Sequence, residues 1–513
     1  MKKLFTYAAV VAALGLLPTA CTDLTEVDPS NLSDSNFPSP SNEETYKALA
    51  YRPIGHFREF VSNQRFWLML EGCTDEVVVP TRGGGWFDAN KWRDLHYHEW
   101  TKNHPTLDQI WQWAYTGVNQ CNNIIVSLEV AQDFPDKAQY IAQVQTMRAM
   151  YYFWLMEAFG NVPIITATNL EELGGELPSN NTRAEVYAFI LEDLEAAMPN
   201  LPAEVTGATY GVPTKWMAKA MQAKLYLNAE IYAGISAYAE AEAICMEIIN
   251  SGLFGYDDDF FATFAPENGP QNMEIIWAMV NDAEQGSTLN FWKRFLPGRT
   301  QAVYNLPSGG WGGHSTLPEF YELFDDTNDV RNQMWQAGPQ FLPDGSPLLD
   351  GNGEQIVVNP ELPFGEANPS NPFDVGDDLF GANSIKYGAD ITTTGPGISD
   401  NDYVIFRYAD IVLMAGEAKA RQGGDANLAL TAVNEVRTQR GAAPFATLTF
   451  EELLAERGRE FAFEHWRRND LIRFGAFENS WGLKTSTDAT RRLFPIPQRQ
   501  IDINPNLTQN PGY

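Results

Sequence analysis

Between Pro80 and Trp100 lie five large rings, Trp86, Phe87, Trp92, Tyr97 and Trp100, set among Arg82, Gly83-Gly84-Gly85, Asp88 and Asn90. A glycine-rich loop cannot bury five such rings by helical packing, so some of them must face outward. A pyranose has an apolar C–H face that packs on an indole and a hydroxyl rim that needs paired donors and acceptors. Tryptophan beside Asp, Asn and Arg supplies both. A second concentration runs from Phe291 to Phe341, with ten rings in 51 residues against 12% aromatic content overall. Phe320, Tyr321 and Phe324 fall at helical spacing and read as core. Trp292, Tyr304 and Trp311, each close to Gly, Asn or Pro, join Trp86 as candidates for a ligand platform.

Catalytic patterns are missing. The chain has no Gly-x-Ser-x-Gly elbow, no His-Glu-x-x-His helix and no Walker lysine, and Arg82-Gly83-Gly84-Gly85 lacks the lysine of a phosphate cradle. His96 and His98 flank Tyr97 at a spacing that suits a metal only on a strand and with further ligands. Asp350, Asn352 and Glu354 alternate as calcium ligands do, but Gln355 stands where an EF-hand loop has glycine, so a turn is the better reading. No enzyme activity, cofactor or metal is expected. Glu456, Arg457, Glu460, Glu464, Arg467, Arg468, Asp470 and Arg473 alternate in sign at helical spacing, which suits an ion-pair network tying the terminal helices together.

The elements that position these residues are mostly helical. Gln109 to Ile125 and Val144 to Leu155 carry apolar residues at helical period, and Thr182-Arg183-Ala184-Glu185 is a capping box opening another helix. From Lys215 to Gly252, and again from Ile411 to Arg440 around Gly423-Gly424, alanines alternate with large residues. That pattern lets paired helices approach closely, as in tetratricopeptide hairpins. From Phe254 to Asn401 the period disappears, and Gly, Pro, Asn and Asp set turns at Pro343-Asp344-Gly345, Asp350-Gly351-Asn352-Gly353 and Gly395-Pro396-Gly397. The one strand pair expected there is a hairpin around Asp350 with a strand from Gln355 to Val358. The fold class is mainly α: helical hairpins, 43–253 and 402–513, carrying a loop-rich, small-strand insertion, 254–401, in a single domain 43–513.

Composition sets the compartment. Lys2 and Lys3, an apolar run from Ala8 to Leu17 and then Pro18-Thr19-Ala20-Cys21 read as an export leader over 1–20, because ten apolar residues are too few to span a bilayer. Cys21 after Thr19 and Ala20 resembles a bacterial lipoprotein lipidation site, with 21–42, rich in Ser, Asn and Pro, as a tether. The formal charge is -31 and becomes more negative once the two leader lysines are removed, so nucleic acid is not an expected partner. Cys73, Cys121 and Cys245 are too few to staple the fold and read as free and buried.

The C-terminal residues carry a family resemblance. Tyr403 to Met414 leads into Glu417-Ala418, followed by Val433-Asn434-Glu435-Val436-Arg437, Glu456-Arg457, Asp470-Leu471-Ile472-Arg473-Phe474-Gly475, Leu493-Phe494-Pro495-Ile496-Pro497 and Asn504 to Tyr513. With Arg148 to Phe153 and Phe159-Gly160-Asn161-Val162-Pro163, these resemble the SusD/RagB family of surface glycan-binding lipoproteins, in order along the mature chain. The resemblance implies a tetratricopeptide scaffold under a loop-rich ligand face and a SusC-like TonB-dependent outer-membrane transporter as partner. It implies a ligand loop after Asp75-Glu76, to which Asp75, Arg82, Trp86 and Trp92 correspond. The function expected is capture of oligosaccharides, neutral ones by the charge argument, and their delivery to that transporter. A peptide-uptake lipoprotein of the same family, a tetratricopeptide interaction scaffold and a glycoside hydrolase are the alternatives.

Overall fold

The computed structural model describes residues 43–62, 66–167, 174–284, 289–392 and 399–513; the leader, Cys21, the tether and the Gly395-Pro396-Gly397 turn lie outside them. The scaffold is built from the helices Pro105–Glu129, Lys137–Phe159, Arg183–Ala197, Lys215–Leu227, Tyr238–Asn250, Tyr408–Gly423 and Leu430–Gln439, each packed on the one before it. The chain leaves this array after Asn250 and returns at Tyr408, yet Tyr238–Asn250 packs directly on Tyr408–Gly423. The insertion therefore interrupts the sequence of the array without interrupting its packing. Residues Lys47–Tyr513 make up one compact unit.

Local chemistry explains where the helices begin, approach and end. Thr182 and Thr449 each accept from the backbone three residues on, at Glu185 and Glu452, whose side chains return the bond. Ala218, Ala220, Ala223, Ala229 and Ala241 are fully buried where the hairpins meet. At Gly416 an added Cβ would stand 2.8 Å from the Cβ of Ala432, so the last hairpin closes only on glycine. Gly424, at φ 67°, ends Tyr408–Gly423 in the left-handed conformation. Cys73, Cys121 and Cys245 are buried free thiols. Among the described residues, no helix is long and apolar enough to cross a membrane.

The insertion holds more strand than its sequence suggests. The Asp350 turn is present: Asp350 accepts from the amides of Asn352 at 2.8 Å and Glu354 at 3.0 Å, and Leu349 bridges Gln355. Two further pairs correct the expectation of one hairpin. Ile275–Met279 runs antiparallel to Tyr403–Arg407 through a bulged register, and Trp335–Gln336 pairs with Asn383–Ser384. Every residue of the first pair is buried, so it lacks the apolar-polar alternation that marks a half-exposed strand.

The charged C-terminal residues do more than join the last helices. Glu460 accepts from Arg331 at 2.9 Å, Arg407 at 2.7 Å and Arg440 at 2.8 Å, and Glu274 shares the last two at 2.7 and 2.6 Å. Glu456 adds Arg331 and Arg437, Glu464 pairs with Arg407 and Lys386, and Asp329 takes Arg331. Arg457 joins Asp410 to Asp470, and Lys224 takes the second oxygen of Asp410. Glu274, Asp329, Arg331 and Lys386 come from the insertion, so the network fastens it to the hairpins through the interior. Such pairs are retained because breaking one strands a charge in a medium that cannot solvate it.

Glu71 and Glu76 are buried carboxyls on the approach to the aromatic loop, and burial pushes Glu76 up to about 8 and Glu71 up as well. A raised folded value means stability that is present below the unfolded value of 4.5 and is lost as the pH rises through 8. The urea midpoint should fall over that window, and Glu76→Gln, which keeps the shape and removes the titration, should flatten the fall. An equal decline in parent and variant would contradict the assignment.

Candidate functional site

Three loops converge at the face that the aromatic pattern indicates. Val78 and Ser315 exchange backbone bonds at 2.9 and 3.0 Å, and Thr81 bridges Asp374, which brings 81–90, 308–315 and 374–380 together. Arg82 is the fastener. Its guanidinium is 8% exposed and donates to the carbonyls of Asp377 at 2.9 Å and Phe380 at 2.8 Å and to Ser315 Oγ at 3.0 Å. The expectation that Arg82 meets a ligand is corrected: its donors are consumed in joining the loops.

Trp86 stands at the centre of this junction. Its indole lies over Gly313, where an added Cβ would meet the ring at 2.2 Å, and its Nε1 donates to the Trp311 carbonyl at 3.3 Å. The buried His314 ring meets it edge-on at 5.5 Å. Trp86, Asp88, Ala89 and Asn90 all have positive φ, between 40° and 65°. Backbone of this kind persists only where its surroundings over-determine it. Here the Trp92 indole donates to Asp88 at 2.7 Å, Gly83 N–H donates to Asp374 at 2.9 Å, and Arg82 and Gly85 bond each other. The strained turn presents Trp86 half-buried and Phe87 46% exposed.

Trp311 is 42% exposed between Gly309-Gly310 and Gly312-Gly313. Gly312, at φ 55°, passes 3.1 Å from Asp378 measured from an added Cβ, and Asp377 and Asp378 both pair with Arg299. The face thus sets two indoles and a phenyl ring beside an exposed guanidinium and two carboxylates. Stacking on apolar ring faces, and donation to and acceptance from hydroxyls, are both available.

The remaining candidates are supports. Asp75 gives both oxygens to Arg467, at 2.7 and 2.6 Å, in a two-bond ion pair that ties the loop to the last helices. Trp92 is 3% exposed and holds Asp88. Trp292 is 2% exposed, packed with Leu296 and Leu306, and the half-buried Tyr304 lies against that cluster. Burial overturns the reading of Trp92 and Trp292 as platform rings, and pairing overturns that of Asp75. Phe87, Arg299, Asp377 and Asp378 were missed. Phe87 sat within the aromatic run and Asp377-Asp378 formed a visible acidic pair, but nothing in sequence places the three loops together.

Helical hairpins bearing a long loop-rich insertion, with an aromatic rim at the junction, define a scaffold-and-face class of protein. Two family descriptions match: "SusD family" over residues 380–513 and "Starch-binding associating with outer membrane" over 75–227. The chain belongs to the SusD family. The starch-binding protein SusD of Bacteroides thetaiotaomicron is 26% identical over 448 residues, 78% of each chain. A SusD superfamily structure from Parabacteroides distasonis covers 92% of this chain and 99% of its own, with TM-score 0.73 and 24% identity. Surface glycan-binding protein A from Bacteroides thetaiotaomicron, solved with laminarihexaose, covers 91% and 99%, with TM-score 0.72 and 23% identity. At such identities, the structural likeness establishes the mainly helical fold.

Proposed function

We propose that this protein is a surface glycan-binding lipoprotein of the outer membrane, without catalytic activity of its own, that holds neutral oligosaccharides on Trp86 and Trp311. It passes them to a SusC-like TonB-dependent transporter. The observation that carries the reading is the junction itself: Arg82, a strained turn and a glycine-flanked segment are all spent on presenting two linked tryptophans at a surface. The starch-binding relative and the laminarihexaose-bound structure support a saccharide as the ligand, and the family description supports the outer membrane as the place. Asp377 and Asp378 offset Arg299, and a protein of charge -31 repels polyanions, so uncharged sugars are favoured.

A glycan array probed with the mature chain tests this directly. Uncharged glycans should be retained and no new reducing ends should appear; retention of short peptides in place of glycans would replace the ligand class. Cys21→Ala tests the anchor. The variant should leave the membrane fraction, since a multi-acyl lipid supplies the hold that no described helix does. Retention of Cys21→Ala in membranes would contradict lipidation at that residue.

A further inference from the structure

Two cavities lie away from the tryptophan junction, along the helix Pro105–Glu129. One, of about 530 Å³, is lined by Asp108, Gln109, Gln112, Thr116 and Arg499; the next, of about 320 Å³, by Trp111, Tyr115, Asn119, Gln500 and Asn504. Gln112 and Thr116 line both, so the two form one groove between this helix and the C-terminal segment. Its floor is aromatic: Trp111 and Tyr115 lie 4.9 Å apart, and Tyr115 is held by donating to the Pro163 carbonyl at 2.8 Å.

Its wall is an amide and hydroxyl stripe. Gln109, Gln112, Thr116 and Asn119 follow one another at three- and four-residue spacing on one helix face. The side chains of Gln109, Thr116 and Asn119 hydrogen-bond to no described residue and are exposed to the groove. Asp108 and Arg499 pair at 3.0 Å across the groove, and His56 and Glu59 line its wider end.

We infer that this groove is a second binding site, for a run of about three residues of an uncharged saccharide chain, independent of the Trp86 junction. From Gln109 to Asn119 the helix rises about 15 Å, so the polar rungs recur about every 5 Å. That step is close to one pyranose in length, whereas an extended peptide repeats its side-chain direction every ~6.6 Å and falls out of register within three rungs. Amides that donate and accept at once suit hydroxyls, and a groove whose charged lining is Glu59, Asp108 and Arg499 carries a negative excess that discriminates against acidic sugars. Two separated sites on one chain raise the residence of a polymer without tightening either contact, which suits capture followed by release.

The test uses the mature chain and Trp86→Ala, titrated calorimetrically with laminarihexaose, cellohexaose, maltohexaose and a capped uncharged Gly-Ser hexapeptide. Trp86→Ala should still bind at least one of the three sugars. Adding Gln112→Ala and Asn119→Ala, exposed positions that leave the melting temperature unchanged, should weaken that remaining binding at least tenfold, while the same pair in the wild type spares the Trp86-dependent component. Remaining sugar binding that ignores the two substitutions, its absence in Trp86→Ala, or binding of the hexapeptide alone would each overturn the inference. Failure of the Trp86 reading is seen separately, as Trp86→Ala binding like the wild type.

Discussion

Glu460→Leu should cost the fold at least about 3–5 kcal/mol, enough to remove cooperative unfolding from a protein of ordinary stability. The carboxylate lies between three guanidinium groups, those of Arg331, Arg407 and Arg440, and both it and they are shut off from water. These arginines hold Glu460 well below the usual carboxylate range despite burial. Leucine fills much of the volume but leaves three cations facing Glu274, Asp329, Glu456 and Glu464 with one counter-charge fewer. Because the folded value is depressed, the stability that Glu460 supplies is present above its unfolded value near 4.5 and is lost only as the pH falls through the folded one. Urea unfolding at neutral pH measures the effect; a loss under about 1 kcal/mol would show that the network is incidental to the joining of insertion and scaffold.

Trp292→Ala should cost about 3–5 kcal/mol, the range for emptying a buried aromatic site. Its ring fills the cluster with Leu296 and Leu306 under the segment that carries Arg299, Tyr304 and Trp311. The cavity should also loosen that segment, so ligand affinity should drop as a consequence of lost order. Urea unfolding separates the two effects: weakened binding with stability kept within about 1 kcal/mol would return Trp292 to the platform from which its burial removed it.

How far the residues themselves disclosed this arrangement differs by element. The helices of the scaffold were legible because alanine spacing, the Thr182 capping box and Gly423-Gly424 each carry a local cause of helix or helix end. Ile275–Met279 and Tyr403–Arg407 were not read as a pair, since a strand buried on both faces has no alternation and its partner lies across the insertion. The charges from Glu456 to Arg473 were legible as a network, but their partners Glu274, Asp329, Arg331 and Lys386 are fixed only by the tertiary fold. In the candidate site, the aromatic loops were visible and their division was not. Trp86 and Trp92 are six residues apart in one glycine-rich stretch, and only the positive-φ turn between them sends one ring toward solvent and the other inward.

The central claim is that Trp86 presents its ring to a saccharide. The most direct measurement is calorimetric titration of the wild type and Trp86→Ala with a neutral oligosaccharide retained on the array, paired with a melting curve for each. A stacked pyranose is worth roughly 1–2 kcal/mol, so the variant should bind about tenfold more weakly, equivalent to about 1.4 kcal/mol, with its melting temperature nearly unchanged. A melting temperature lowered by many degrees with the affinity unaltered would contradict the account and make Trp86 a packing residue of the loop junction.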